Sequence, residues 1–139
     1  MERLYLLDTN IASSIIKGNS PALDRRLMRV PLAQLAISSV TEGELRYGAA
    51  KLPGATRLHT LIEEFFLRVA ILPWDSEAAQ EYGQLRATLE HEGRPMGNLD
   101  TMIAAHALAL GAVLVTSDRA FSRIKKLKVE DWTKVPRKE

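Results

Sequence analysis

The chain has 139 residues, 46% of them hydrophobic and 26% charged, with a formal net charge of +2 and no cysteine. This length suits one domain with a real core, expected to span residues 1–139. The absence of cysteine excludes disulfides, thiolate metal sites and cysteine nucleophiles. No apolar run approaches the roughly 20 residues that cross a bilayer, and Glu2 and Arg3 precede only four apolar residues, too few for a signal peptide. A cytoplasmic protein without membrane contact is expected.

Arg3–Leu7 reads as a short buried strand. A helix over Thr9–Lys17 follows, with Ile11, Ile15 and Ile16 on one face and Gly18 as its stop. Ser20-Pro21 has the form of a cap and a first-turn proline, opening a second helix that runs to about Arg29. A second strand is predicted over Leu35–Ser38 and a helix over Glu42–Lys51 that stops at Pro53-Gly54. A longer helix over Thr56–Val69 turns Leu58, Leu61, Ile62, Phe65 and Phe66 inward, and Val69–Leu72 forms a third strand ended by Pro73. Asp75 caps a helix reaching His91, with Ala78, Ala79, Tyr82, Leu85 and Leu89 as its apolar stripe. The Glu92–Gly97 loop leads into a helix over Asn98–Leu110, stopped by Gly111. Ala112–Val115 is a fourth strand, and a short helix from Asp118 and a strand near Leu127–Val129 complete the chain. Strands alternating with helices predict an α/β fold, three layers around a mainly parallel twisted sheet.

Four acids fall where an apolar strand ends or a helix begins: Asp8, Glu44, Asp100 and Asp118. In a parallel sheet the C-terminal strand ends share one edge, where open α/β folds bind ligands. Carboxylates gathered there raise each other's pKa, and a hard divalent cation with oxygen ligands resolves the conflict. Taken singly, each acid also has a structural reading. Asp8 and Asp118 suit helix caps, and Asp100 suits the positive end of a helix. Glu44 fits a capping box with Thr41, unless Ser39 and Glu42 form that box and leave Glu44 free. Thr9, Asn10, Thr116 and Ser117 are placed to orient carboxylates or water, or to make turns.

Other catalytic arrangements are poorly supported. His106 lies on an alanine-rich helix with no histidine partner and reads as structural, while His59 and His91 read as surface residues. No Gly-x-Ser-x-Gly elbow surrounds Ser13 or Ser14, and no phosphate-binding Gly-x-x-x-x-Gly-Lys loop is present. From Ile124 on, six basic residues stand against three acids. Basic surface around an acidic pocket suits a polyanion brought to a cation, although a basic tail also occurs simply as solvated surface.

Leu7-Asp8-Thr9-Asn10, Ile37-Ser38-Ser39-Val40-Thr41 through Glu44-Leu45, and Asp100 with Ile103-Ala104-Ala105-His106-Ala107 follow one another in order. Leu114-Val115-Thr116-Ser117-Asp118 and Val129-Glu130-Asp131-Trp132 complete the series. Together they resemble the PIN-domain ribonucleases, specifically the VapC toxins of toxin–antitoxin systems. Gly97-Asn98-Leu99-Asp100 departs from the Gly-Pro pattern commoner there before the aspartate. The resemblance implies a three-layer α/β/α fold with Asp8, Glu44, Asp100 and Asp118 as the acidic quartet. Asp8 and Asp100 would hold Mg²⁺, for which Mn²⁺ can substitute, and Glu44 and Asp118 would complete the shell, hold a second ion or orient water. It further implies metal-dependent cleavage of RNA, most closely that of members cutting initiator tRNA in its anticodon stem-loop. A homodimer, a VapB-type antitoxin covering the site, and contact with operator DNA only through that antitoxin are also implied.

Arg86, Arg94, Arg46, Lys17 and Arg119 are candidates for RNA phosphate contact, with surface or salt-bridge roles as the alternative. Ile11, Ile15, Ile16, Leu23, Leu27, Phe65 and Phe66 exceed the obvious needs of one side of a small sheet. Some of them are expected to form an apolar antitoxin groove, unless all belong to the core. Two rival functions remain: a catalytically silent PIN-type RNA-binding module, and a phospho-receiver or phosphatase. The second commonly needs another aspartate beside the first, and Asp8 is followed instead by Thr9 and Asn10.

Overall fold

The computed structural model describes residues 2–134. Arg137, Lys138 and Glu139 of the charged C-terminal stretch lie outside the described residues. Five strands, β1 (Tyr5–Leu7), β2 (Leu35–Ser38), β3 (Ala70–Leu72), β4 (Val113–Val115) and β5 (Lys128–Glu130), form one sheet in the order β3-β2-β1-β4-β5. Every pair is parallel, with Leu6 opposite Ala36 on one side and Leu114 on the other.

Side chains alternate across a strand, and this divides the core. Tyr5, Leu7, Leu35, Ile37, Val113 and Val115 point to one face. They meet α1 (Thr9–Lys17), α2 (Pro21–Leu27) and α4 (Thr56–Arg68), with part of α3 (Ser39–Ala50). Leu6, Ala36 and Leu114 point to the other face, against α5 (Ser76–His91) and α6 (Asn98–Leu110). The three layers are therefore helix, sheet and helix, and the strands are apolar on both faces, as parallel sheets require.

The helix ends follow local chemistry. Asp8 caps α1 by accepting from the Ile11 N–H, and Gly18 closes it at φ +65°. Ser20 caps α2 ahead of Pro21, and Asp75 caps α5. One expectation is corrected at α3. Ser38 caps that helix by accepting from the Val40 N–H, so α3 starts at Ser39, directly after β2. Neither capping box predicted around Ser39 or Thr41 forms its cap. A short 3-10 helix at Leu32–Gln34, unforeseen in the sequence, precedes β2.

The chain runs outward from β1 through β2 to β3, then crosses back to place β4 on the other side of β1. The C-terminal ends of β1 and β4 therefore flank the point where strand order reverses, which is where such sheets leave a crevice.

Candidate active site

Asp8 follows β1 at this crevice. Its carboxyl Oδ1 accepts from the Ile11 N–H at 2.8 Å, and its own N–H donates to Val115 O at 3.1 Å, tying β1 to β4. The residue is only 5% exposed. Across the crevice, β4 continues into Thr116, which is buried, and Asp118, which is exposed. The Thr116 hydroxyl accepts from the Asp118 N–H at 3.0 Å, and Asp118 accepts from the Ala120 N–H at 2.9 Å.

Glu44 reaches the site from the second turn of α3. The Thr9 hydroxyl lies 2.5 Å from its Oε1 and 3.2 Å from the hydroxyl of Thr41. A hydroxyl has a single proton. The shorter bond to the carboxylate takes the Thr9 proton, and the Thr41 hydroxyl donates to Thr9 in turn. Thr41, fully buried, is a supporting residue that the sequence did not single out. Its place three residues before Glu44 had suggested only a helix cap.

Asp100 stands in the first turn of α6. Two contacts brace that helix against the Ser38–Ser39 corner between β2 and α3. Buried His106 shares a 2.8 Å hydrogen bond between Nδ1 and the Ser38 hydroxyl. The Trp74 N–H donates to Ser39 Oγ at 3.0 Å, while its indole N–H donates to Met102 O at 2.9 Å, two residues past Asp100. The structural reading of His106 stands: its bond ties α6, which carries Asp100, to the start of α3, which carries Glu44.

The carboxyls feel one another. Burial pushes the Asp8 carboxyl above its ordinary pKa; the Thr116 hydroxyl and the Ile11 N–H pull it back, and Asp100 and Asp118 raise it further. Asp100 is likewise raised, first by burial, then by Asp118 and Glu44. No lysine or arginine forms an ion pair with any of the four among the described residues. Also among those residues, no three acidic or histidine groups converge as a ready-made ion cage.

The PIN-domain profile matches residues 5–127. The chain is 43% identical over 130 residues to the tRNA(fMet)-specific endonuclease VapC of Shigella flexneri, covering 93% of this chain and 98% of that protein. Identity to Ribonuclease VapC2 of Haemophilus influenzae is 36%, over 92% of this chain and 97% of the relative. The fold superposes on DNA-bound VapBC from Salmonella typhimurium with a TM-score of 0.87 at 38% identity, covering 94% and 99% of the two chains.

The chain belongs to the PIN-domain family, in its VapC branch.

Clefts flank the acids of this PIN domain on both sides. One, of about 270 Å³, is lined by Thr9, Asn10, Lys17, Glu44 and Lys51. The other, of about 210 Å³, is lined by Thr116, Ser117, Asp118 and Arg119. The expected phosphate-contact residues divide accordingly. Lys17 and Arg119 line these clefts, and Arg94 is exposed in the loop before α6. Arg46 and Arg86 are instead engaged nearby. Arg46 donates to Glu42 and Glu63 and lies over the Phe66 ring, and Arg86 donates to Glu90 and the Tyr82 hydroxyl.

The seven apolar residues expected at a partner groove also divide. Ile11 and Leu23 are sealed in the core at 1% and 0% exposure. Ile15, Ile16, Leu27 and Phe65 line a surface groove of about 300 Å³ with Leu32 and Leu61. Phe66 packs at the edge of the core beneath Arg46. No helix among the described residues is long and apolar enough to cross a membrane.

Proposed function

We propose that this chain is an Mg²⁺-dependent endoribonuclease toxin that hydrolyses a phosphodiester in the anticodon stem-loop of initiator tRNA and so blocks translation. The observation that carries this reading is the crevice itself. Asp8, buried after β1, and Asp100, exposed in the first turn of α6, both have carboxyls raised first by burial, and Asp8 partly through Asp100. Neither has a basic ion-pair partner among the described residues. The relative named for tRNA(fMet) cleavage supports initiator tRNA as the substrate.

The donor set fits a hard divalent cation. Mg²⁺ takes one or two carboxylates, keeps several waters and accepts substrate phosphate oxygens, so it does not need a full protein cage. Asp8 and Asp100 would hold it, with Glu44 and Asp118 around them, and Mn²⁺ would serve in its place. When bound, it supplies activation of water and neutralisation of charge on the phosphate.

The chain's own residues supply the rest. Ile11 N–H and Thr116 fix the Asp8 carboxyl, and the α6 bracing fixes Asp100. The Thr9 hydroxyl occupies Glu44 Oε1, leaving Oε2 to orient the attacking water. Attack at phosphorus breaks the bond to the 3′ oxygen, which takes up a proton. The products carry 5′-phosphate and 3′-hydroxyl ends.

The apolar groove at Ile15, Ile16 and Phe65 supports a VapB-type antitoxin as partner, laying a helix across it. In this reading the toxin is a cytoplasmic homodimer of single-domain chains and meets operator DNA only through the antitoxin. The test is purified protein with initiator and elongator tRNAs and end-mapping of products. One cut in the initiator anticodon stem-loop is expected. Efficient cutting of elongators alone overturns the substrate, and RNA binding without cutting, with Mg²⁺ or Mn²⁺, supports the silent-module alternative.

A further inference from the structure

Arg25, Arg26 and Arg29, on and just past α2, line a cleft of about 160 Å³ with Trp132 and Lys134. This cleft shares Asp131 and Lys134 with the one that holds Asp118 and Arg119. The two clefts adjoin at Asp131 and Lys134, and together they form a trough from Asp118, past Arg119 and Lys134, to α2.

Of the acids beside it, Glu130 is paired with basic side chains, whereas Asp131 accepts only from neutral donors among the described residues and keeps its charge. Asp131 Oδ1 accepts from the Thr133 N–H and hydroxyl. Glu130 accepts from Arg3, Arg26 and the Trp132 indole. Arg26 is spent in this cluster, with its guanidinium 5.1 Å from the Trp132 ring centre. Arg25, Arg29, Arg119 and Lys134 are exposed and have no ion-pair partner among the described residues. Four cations without an ion-pair partner among the described residues thus line the two clefts that extend from Asp118, against the charges of Asp118 and Asp131.

We propose that this trough holds the phosphodiester backbone of the substrate RNA on one side of the scissile bond, with Arg25, Arg29 and Lys134 contacting phosphates. This rests on the nuclease reading above. A polyanion continuous with the phosphate in the crevice reaches both ends of the trough. Any polyanion meets the charge of Asp118 there, but only RNA has a backbone that runs unbroken from the scissile phosphate into the trough. Trp132 is 3% exposed and covered by Arg26, so it offers no face for stacking a base. The contacts are therefore to backbone, which positions the RNA without reading its sequence.

The test uses tRNA cleavage kinetics of the full chain across a range of salt concentrations. The variants are Arg25→Glu/Arg29→Glu, the charge-keeping Arg25→Lys/Arg29→Lys, and Arg57→Glu on exposed α4 surface as the control. Each lost phosphate contact flattens the log–log salt dependence by roughly 0.7–0.9. The glutamate pair is expected to raise KM about tenfold or more at unchanged kcat, with the salt slope of kcat/KM shallower by about 1.5. The lysine pair should stay near wild type, and Arg57→Glu should shift neither quantity. Unchanged KM and slope in the glutamate pair, while wild type cuts normally, overturns the trough alone. So does a fall in kcat at unchanged KM, or lost antitoxin binding with intact tRNA kinetics. A wild-type chain that cuts no RNA refutes the nuclease reading, and the trough falls with it.

Discussion

Asp8 combines a structural and a chemical role in one side chain. Its carboxyl caps α1 through Ile11 and is buried beside Asp100 and Asp118. A carboxyl whose folded pKa lies above its ordinary value holds its proton more tightly in the folded chain. That contribution is fully present below the unfolded pKa and is lost as pH rises through the raised folded pKa. At neutral pH without a cation, the ionised Asp8 and Asp100 therefore burden the fold. Asp8→Asn and Asp100→Asn are expected to raise Tm at neutral pH, with the gain shrinking toward the ordinary carboxylate pKa of about 4. Asparagine keeps the cap acceptor at position 8. Saturating Mg²⁺ should stabilise the wild type by mass action and neither variant. Thermal scans across pH, with and without Mg²⁺, decide this; a drop in Tm for both variants at neutral pH contradicts it. Thr9→Val tests the support of Glu44. With its hydroxyl gone, kcat should fall about 10–100-fold, and an unchanged kcat shows that Glu44 needs no orienting donor.

At the scale of elements, the site depends on how α6 is braced. Ser38 ends β2, caps α3 and bonds His106, so one hydroxyl links three elements. Truncating a buried side chain leaves a cavity and an unpaired polar partner. His106→Ala is expected to cost about 2 kcal/mol or more, measured by urea unfolding. A double-mutant cycle with Ser38→Ala should give a coupling of at least about 0.5 kcal/mol; additive losses would show the bond to be incidental.

Much of this scale was legible. Helices α1 and α6 were readable end to end because Asp8 caps the first and left-handed glycines, Gly18 and Gly111, close both. The start of α3 was not. Ser38 belongs to the strand by its backbone and to the helix by its side chain, and a periodicity reading assigns it to one only. The 3-10 turn at Leu32–Gln34 has no side-chain cap and left no signal.

Across the whole molecule, alternation of strands and helices gave away the layers. Asp8, Asp100 and Asp118 lie at strand or helix ends as expected, while Glu44 lies in the second turn of α3 because that helix starts at Ser39. The cations were less legible. Arg46 and Arg86 stand four residues from Glu42 and Glu90, so same-helix pairing competes with any ligand. Apolar periodicity identifies a helix's inner face but not what covers it, which is why Ile11 and Ile15 could not be told apart. Their difference makes a prediction about the groove. Ile15→Glu should leave a folded, active nuclease that escapes its antitoxin in pull-down and growth assays. Phe65→Glu, at a position 7% exposed, should lose the fold in circular dichroism. Full antitoxin binding by folded Ile15→Glu would move the partner to another surface.

The central claim is that these acids cut RNA through a divalent cation, and the direct measurement is a cleavage assay on initiator tRNA in Mg²⁺, in EDTA, and with Asp100→Asn in Mg²⁺. A single anticodon stem-loop cut with a 5′-phosphate end is predicted in the first condition and none in the other two. Cleavage persisting in EDTA, or at wild-type rate in the variant, contradicts the account.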